Sequence, residues 1–191
     1  MTKSNIFIIS GPSGAGEDSI IEGLKKHLPI ERVVTTTTRE MRKEDSQGNP
    51  YYFISKEKFK NKLEAGDFAE YAQEYNSNWY GVTKEELERV ASSEKIGIWK
   101  IEYKGVLTAK EKFPEIKSIY IAAPSLEILE KRIRRRNKNV SAEYIKERMD
   151  YTKEWMKYEK IYDYKVINEE GELEKSIQNV VKIIKDNAEL T

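Results

Sequence analysis

The stretch Asn5-Ile-Phe-Ile-Ile-Ser10-Gly11-Pro-Ser-Gly-Ala-Gly16-Glu17-Asp18 decides the architecture of this chain. From Asn5 to Ser10 the residues form an apolar run of strand length, glycines interrupt it from Gly11 to Gly16, and Ile20, Ile21 and Leu24 then recur on one helical face. Strand, tight turn and helix in that order gather backbone N–H groups and a helix N-terminus around one point, where an anion is favoured. Ser13, Gly14, Ala15 and Gly16 form the cradle of such a loop, continued by Glu17 and Asp18.

The pattern breaks where its chemistry is strongest. A phosphate loop of this type continues after its last glycine with Lys and then Ser or Thr, and this chain has Glu17 and Asp18 instead. A carboxylate where an ammonium normally meets phosphate is unfavourable by roughly 1–4 kcal/mol per charge pair at 4 Å. Another cation must therefore compensate. An ordinary tight turn is the competing reading, and it accommodates both acids, because carboxylates in a first helical turn complement the macrodipole with or without a ligand.

Working outward, Arg32–Thr36, Ile96–Ile101, Lys117–Ala122 and Lys165–Asn168 read as further buried strands separated by helical stretches. That alternation implies a three-layer α/β fold around a parallel sheet of about five strands. Residues 35–84, rich in tyrosine, arginine and acids, are too many for a crossover alone and read as an inserted lobe. Thr83-Lys-Glu-Glu86 has the form of a capping box, which predicts a helix from there to about Ser93. Ser125 opens a helix from Leu126 to Arg136 whose basic end runs into the polar segment Asn137 to Val140. From Glu172 to Asp186, Leu173, Ile177, Val180, Val181 and Ile184 share one stripe, as in a surface helix packed on a core.

A length of 191 residues suits one domain that buries its core without external staples. The absence of cysteine, with His27 the single histidine, excludes a disulfide framework, thiolate catalysis and cysteine or multi-histidine metal sites. Lys and Arg number 34 against 33 Asp and Glu, and the net charge of +1 argues against a general nucleic-acid or membrane-surface binder. The apolar run near the N-terminus is too short for a signal-peptide core, and no stretch approaches ~20 apolar residues. The expectation is a soluble cytoplasmic protein, monomer or homodimer.

Past the loop, Thr37-Thr38-Arg39-Glu40-Met41-Arg42, Gly48, Tyr51, Phe53, Phe68-Ala69-Glu70 and Tyr80-Gly81 follow one another in an order and spacing that resembles the nucleotide-binding lobe of guanylate kinases. Arg132-Ile-Arg-Arg-Arg136, Arg148-Met149 and Tyr162-Asp-Tyr-Lys-Val-Ile-Asn168 resemble the lid arginines and final strand of the same family, so the likeness spans roughly residues 5 to 185. The resemblance implies a core at 1–34, 85–124 and 151–191, a monophosphate-binding lobe at 35–84 and a lid at 125–150. By position, Thr35, Arg39, Arg42, Tyr51 and Tyr80 would hold the acceptor phosphate, since arginine forks and phenol hydroxyls match phosphate oxygens. Glu70 and Glu102 would accept from the guanine N1–H and exocyclic amine. Arg132, Arg136 and Arg148 would close on the donor phosphates, the competing reading being a salt-bridged helix face.

The chain departs from the family at further positions. Val82 stands where the family places a hydroxyl on the guanine, and the Asp-x-Asp of the third strand is Lys100-Ile101-Glu102. Period-two alternation puts Lys100 and Glu102 on one face at the carboxyl end of that strand, beside the phosphate loop. Lysine has left the loop while an acid has left the neighbouring strand, which suggests a charge exchange: Lys100 either pairs with Glu17 or supplies the missing cation to the phosphates. Asp18 could take the Mg²⁺ position that a hydroxyl fills elsewhere. The resemblance implies an enzyme that moves the γ-phosphoryl group of ATP, with Mg²⁺, to GMP, or to dGMP or IMP. The alternative is a guanylate-kinase-like module that binds a nucleotide or a protein and has lost transfer.

Overall fold

The computed structural model describes residues 4–73, 77–136 and 141–188, so the predicted polar segment from Asn137 to Val140 lies outside the described residues. The order is β1 (Ile6–Ser10), α1 (Glu17–Leu24), β2 (Ile30–Arg32), β3 (Thr35–Thr37), β4 (Ser46–Gln47), β5 (Pro50–Phe53), α2 (Lys56–Glu64), β6 (Phe68–Gln73) and β7 (Trp79–Thr83). Then come α3 (Lys84–Ala91), β8 (Ile96–Trp99), α4 (Tyr103–Lys112), β9 (Lys117–Ala122), α5 (Leu126–Arg136), α6 (Ala142–Met156), β10 (Tyr164–Ile167) and α7 (Leu173–Asn187).

Two five-stranded sheets result. The first has the order β10-β9-β1-β8-β2, parallel at every pairing, with the wholly buried β1 in the middle. Side-chain alternation sorts its apolar residues between two faces. Phe7 and Ile9 pack with Ile20, Ile21 and Leu24 of α1 and with Ile177, Val180 and Ile184 of α7. Ile6 and Ile8 pack with Leu87 and Val90 of α3 and Val106 and Ala109 of α4. The α1–α7 crossing is close enough that a Cβ on Gly23 would lie 2.2 Å from the Ile177 side chain. A three-layer α/β core follows from that double burial.

The second sheet, β4-β5-β3-β7-β6, is built within the inserted stretch and mixes parallel and antiparallel pairings. Here the structure corrects two expectations. The single strand predicted over Arg32–Thr36 is two strands in different sheets: β2 ends at Arg32 on the edge of the core, and Val33 and Val34 carry the chain over to β3. A continuous β-branched run gives no sign of a change of sheet. The strand predicted over Ile96–Ile101 stops at Trp99, so Lys100 and Glu102 are not related by strand alternation, and Glu102 is instead the residue that opens α4.

Thr83 caps α3 as its sequence predicts, its hydroxyl accepting the Glu86 N–H at 3.2 Å. Among the described residues the reciprocal arm of the capping box is not formed. Buried Glu86 turns instead to the linker between the sheets, accepting the Val34 N–H at 2.7 Å, and takes the Arg89 guanidinium at 2.8 Å. A carboxylate that would have closed a local cap thus fastens the lobe to the core.

Candidate active site

The carboxyl ends of the core strands face the second sheet across one cleft of about 1260 Å³, larger than the ~300–1,000 Å³ of a typical single-ligand site. Of the residues predicted from sequence, the cleft is lined by Ser13, Gly14, Gly16, Glu17, Asp18, Thr35, Arg39, Arg42, Tyr51, Glu70, Tyr80, Lys100, Glu102, Arg132, Arg136 and Arg148. Ala15 and Val82 are not among them. Ala15 is buried, with its N–H donated to the Pro12 carbonyl at 2.9 Å and its carbonyl held by the Asn168 amide at 2.8 Å, so its backbone is spent inside the turn. Val82 shares a strand face with Tyr80, but where Tyr80 overhangs the cleft, Val82 enters the core cluster of Ile8, Val33 and Trp99. It does not touch the cleft.

At the loop, Gly14 and Gly16 take φ of 89° and 98°, conformations that only glycine adopts at little cost. The Glu17 carboxylate folds back over this turn and accepts the Gly16 N–H at 3.0 Å. Burial pushes its carboxyl above the usual range, against the opposing pull of Lys100 and the loop amides. The Lys100 ammonium lies 2.6 Å from Asp18 and 4.0 Å from Glu17. The exchange partner of Lys100 is therefore chiefly Asp18, with Glu17 second. Arg32, at the end of β2, approaches the other Asp18 oxygen at 3.4 Å, and although burial works against ionisation, the two cations hold the Asp18 carboxyl below its usual range.

Arginines from α5 and α6 close the same end. Arg132 donates to the carbonyls of Gly14, at 3.4 Å, and Asn168, at 2.9 Å, while Arg136 reaches the Ser13 hydroxyl at 3.3 Å. Arg148 stacks over Tyr144 and donates to its hydroxyl at 3.2 Å. These contacts are to carbonyls, hydroxyls and a ring.

On the lobe side, Arg39 is no solvated turn residue. Its guanidinium lies 5.4 Å from the centre of the Tyr51 ring and 5.2 Å from that of Phe53, and is fixed by Asp45 at 2.8 Å. Asp45 also accepts the Arg42 N–H at 2.8 Å, which with Arg39 keeps its carboxyl below the usual range. Tyr51 meets Tyr80 edge to face. Glu70, buried on β6, is pushed up to about 7 by burial, opposed by Lys112. Its carboxylate rests against Gly105 of α4, where a Cβ would come within 2.7 Å of Oε1. Glu102 receives the Tyr151 hydroxyl.

Sequence reading missed several groups. Arg32 and Arg135 line the cleft, as do Tyr144, Tyr151 and Asn168. Arg32 was within reach, because ligands sit at the carboxyl ends of strands in open α/β sheets and Arg32 closes β2. Also missed was a directed chain of hydrogen bonds, Trp155 Nε1–H to Tyr162, Tyr162 to Ser10, and Ser10 to the Ile101 carbonyl, which ties α6 and the loop to the segment carrying Lys100 and Glu102.

A parallel sheet delivering a glycine loop to a helix N-terminus, faced by an arginine-lined lobe and arginines from following helices, defines a kinase of the P-loop class. The family model described as guanylate kinase matches residues 3–187. The chain is 34% identical to the guanylate kinase of Fusobacterium nucleatum, covering 97% of this chain and 98% of that one, and 37% identical to that of Idiomarina loihiensis, covering 87% and 80%. The crystal structure of guanylate kinase from Anaplasma phagocytophilum superposes with a TM-score of 0.73 at 25% identity, over 97% of this chain and 88% of that one. This chain belongs to the guanylate kinase family. Among the described residues no helix is long and apolar enough to cross a membrane.

Proposed function

We propose that this protein transfers the γ-phosphoryl group of ATP to GMP, giving ADP and GDP, with the cation of the phosphate loop supplied by Lys100 instead of by the loop itself. The observation that carries the reading is the Lys100 ammonium 2.6 Å from Asp18 and 4.0 Å from Glu17. The chain has moved the charge to an adjacent wall while keeping it at the loop. A GMP phosphate oxygen attacks the γ-phosphorus as the bond to the β-bridging oxygen breaks, and no side chain needs to act as a nucleophile. What the protein contributes is position and charge.

Thr35, Arg39, Arg42, Tyr51 and Tyr80 hold the acceptor phosphate, and Asp45 with the aromatic rings keeps the Arg39 fork in place before substrate arrives. Glu70, ionised, accepts from the guanine N1–H and exocyclic amine, and Glu102 assists from the start of α4. Ser13, Gly14, Gly16 and the N–H groups of Glu17 and Asp18 receive the donor phosphates. Residues 125–150 act as the lid, bringing Arg132, Arg136 and Arg148 onto the transferring group and excluding water. Asp18 is an exposed carboxylate on the cleft whose two oxygens are engaged by Lys100 and Arg32, and a hard cation suits the oxygen that Lys100 leaves. It would hold Mg²⁺, which neutralises phosphate charge when bound with ATP. A cytoplasmic location and nucleotides as the sole partners belong to the same reading.

The test is ADP formation from ATP, Mg²⁺ and GMP by the purified protein beside Lys100→Ala and Arg39→Ala. GMP-dependent turnover that falls in both variants is the expected result. Measurable GMP binding with no turnover in the wild type would instead make this a nucleotide-binding module.

A further inference from the structure

The phosphate loop of this chain already engages one of its own carboxyl groups. The Glu17 carboxylate accepts the Gly16 N–H at 3.0 Å, its own N–H also favours its charged form, and the side chain is largely withdrawn from solvent at 14% exposure. Gly16 has the positive φ that turns this N–H into the cradle, and Asn168, whose amide would lie 2.4 Å from any Cβ there, locks the turn in that shape. A backbone amide has a single proton to give. While it is engaged by Glu17 it is withheld from a donor phosphate.

We infer that Glu17 is a tethered competitor for the donor phosphate, and that its displacement from the Gly16 amide sets the affinity of this enzyme for ATP. The inference rests on the reading of this loop as the donor site. Lys100, 4.0 Å away, is the nearest cation onto which a displaced carboxylate moves. That movement also brings Lys100 away from Asp18, its closer partner at 2.6 Å, and leaves an Asp18 oxygen open to the cation that accompanies the nucleotide. Glu17 is a specificity residue in this account: it raises the threshold for anything that enters the loop and leaves the acceptor lobe untouched.

Two measurements test this. In calorimetric titration with MgATP, and with pyrophosphate as the minimal probe, Glu17→Gln and Glu17→Ala should bind at least about fivefold more tightly than wild type at pH 8, with GMP affinity within about twofold. Unchanged or weaker ATP binding in both variants would overturn the inference. By NMR, the Gly16 amide of the unliganded protein should move further in Glu17→Ala than in Asp18→Asn, and should move again in the wild type on adding MgATP. A Gly16 amide that keeps its position in Glu17→Ala sinks the idea independently of affinity. Absence of GMP-dependent turnover in wild type would defeat the phosphotransfer reading while leaving these comparisons intact. Normal turnover with unaltered ATP binding in the Glu17 variants would defeat this inference alone.

Discussion

The two ends of the cleft hold their charge in opposite ways. At the second sheet, Arg39 is stacked against Tyr51 and Phe53 and braced by Asp45, so the orientation of its guanidinium on the cleft is fixed. At the phosphate loop, charges hold one another and the loop itself: Glu17 engages the Gly16 amide, Asp18 pairs with Lys100 and Arg32, and Arg132 donates to two carbonyls. One end is preorganised for a ligand, and the other must exchange internal partners to admit one. Preorganisation reduces the cost of binding, so the lobe should tolerate change poorly and the loop should respond to rearranged charge.

The largest expected effect concerns that rearrangement. Lys100→Ala should lower kcat by roughly 10²–10³-fold, the usual consequence of removing one electrostatic partner of a developing charge. Returning the lysine to the loop while removing it from the wall, as Glu17→Lys with Lys100→Asp, should recover about tenfold or more over Lys100→Ala, because contacting residues are not additive. Steady-state kinetics on the single and double variants read both effects. A double variant no better than Lys100→Ala would mean that Lys100 acts by position and not as a portable charge.

Glu70 gives the next effect and moves it to the lobe. Guanine presents two donors, so only the ionised carboxylate accepts both, and Glu70 sits near pH 7 because of its burial. GMP affinity should fall by up to about tenfold per unit as pH drops below 7 and level off above it, while Glu70→Gln should flatten the profile. IMP, which lacks the exocyclic amine, should bind more weakly than GMP at pH 8, and equal affinities would contradict the contact. The sign for the unliganded protein is the reverse. The folded carboxyl keeps its proton to about pH 7 and the unfolded one loses it near 4.5, so this residue costs stability as pH rises between those values, and Glu70→Gln should melt higher than wild type at pH 8 but not at pH 4.

How far these arguments could be made from sequence alone differs between the two ends. The core was legible because β1 is apolar on both faces and the turn after it is marked by glycines. The strands at 117–122 and the helix at 126–136 could be placed to the residue for the same reason, a clear period with clear stops. Lys100 was placed at the loop from the paired departures, although by an incorrect route, since it lies past the end of β8. The fold-back of Glu17 onto Gly16 was not legible, because an acid in a first helical turn is ordinary whether or not its carboxylate turns inward. The second sheet was hidden for a different reason: its short strands, β3 at Thr35–Thr37 and β4 at Ser46–Gln47, are too brief to show a period, and their pairing is set by partners far along the chain.

The junction between the two ends gives a smaller and more selective effect. Glu86 holds the linker through the Val34 N–H and is itself held by Arg89. Glu86→Ala leaves a partly buried amide and a guanidinium without this partner, at about 1–3 kcal/mol. For a chain of this size that corresponds to a fall in Tm of roughly 2–12 °C. If the contact also sets the lobe's angle to the core, KM for GMP should rise more than KM for ATP. Equal changes in the two would assign Glu86 to stability alone.

The smallest effect separates a local cap from the junction. Thr83→Ala removes the hydroxyl that accepts the Glu86 N–H and should cost ~1 kcal/mol, a shift of about 2–4 °C in Tm. Glu86 keeps both Val34 and Arg89 in this variant, so KM for GMP should stay where it is. Thr83→Ser restores the hydroxyl and should restore the melting point. A change in KM for GMP in Thr83→Ala, reversed in Thr83→Ser, would mean that the cap and the junction move as one unit, because the first turn of α3 would then be what aims Glu86 at the linker.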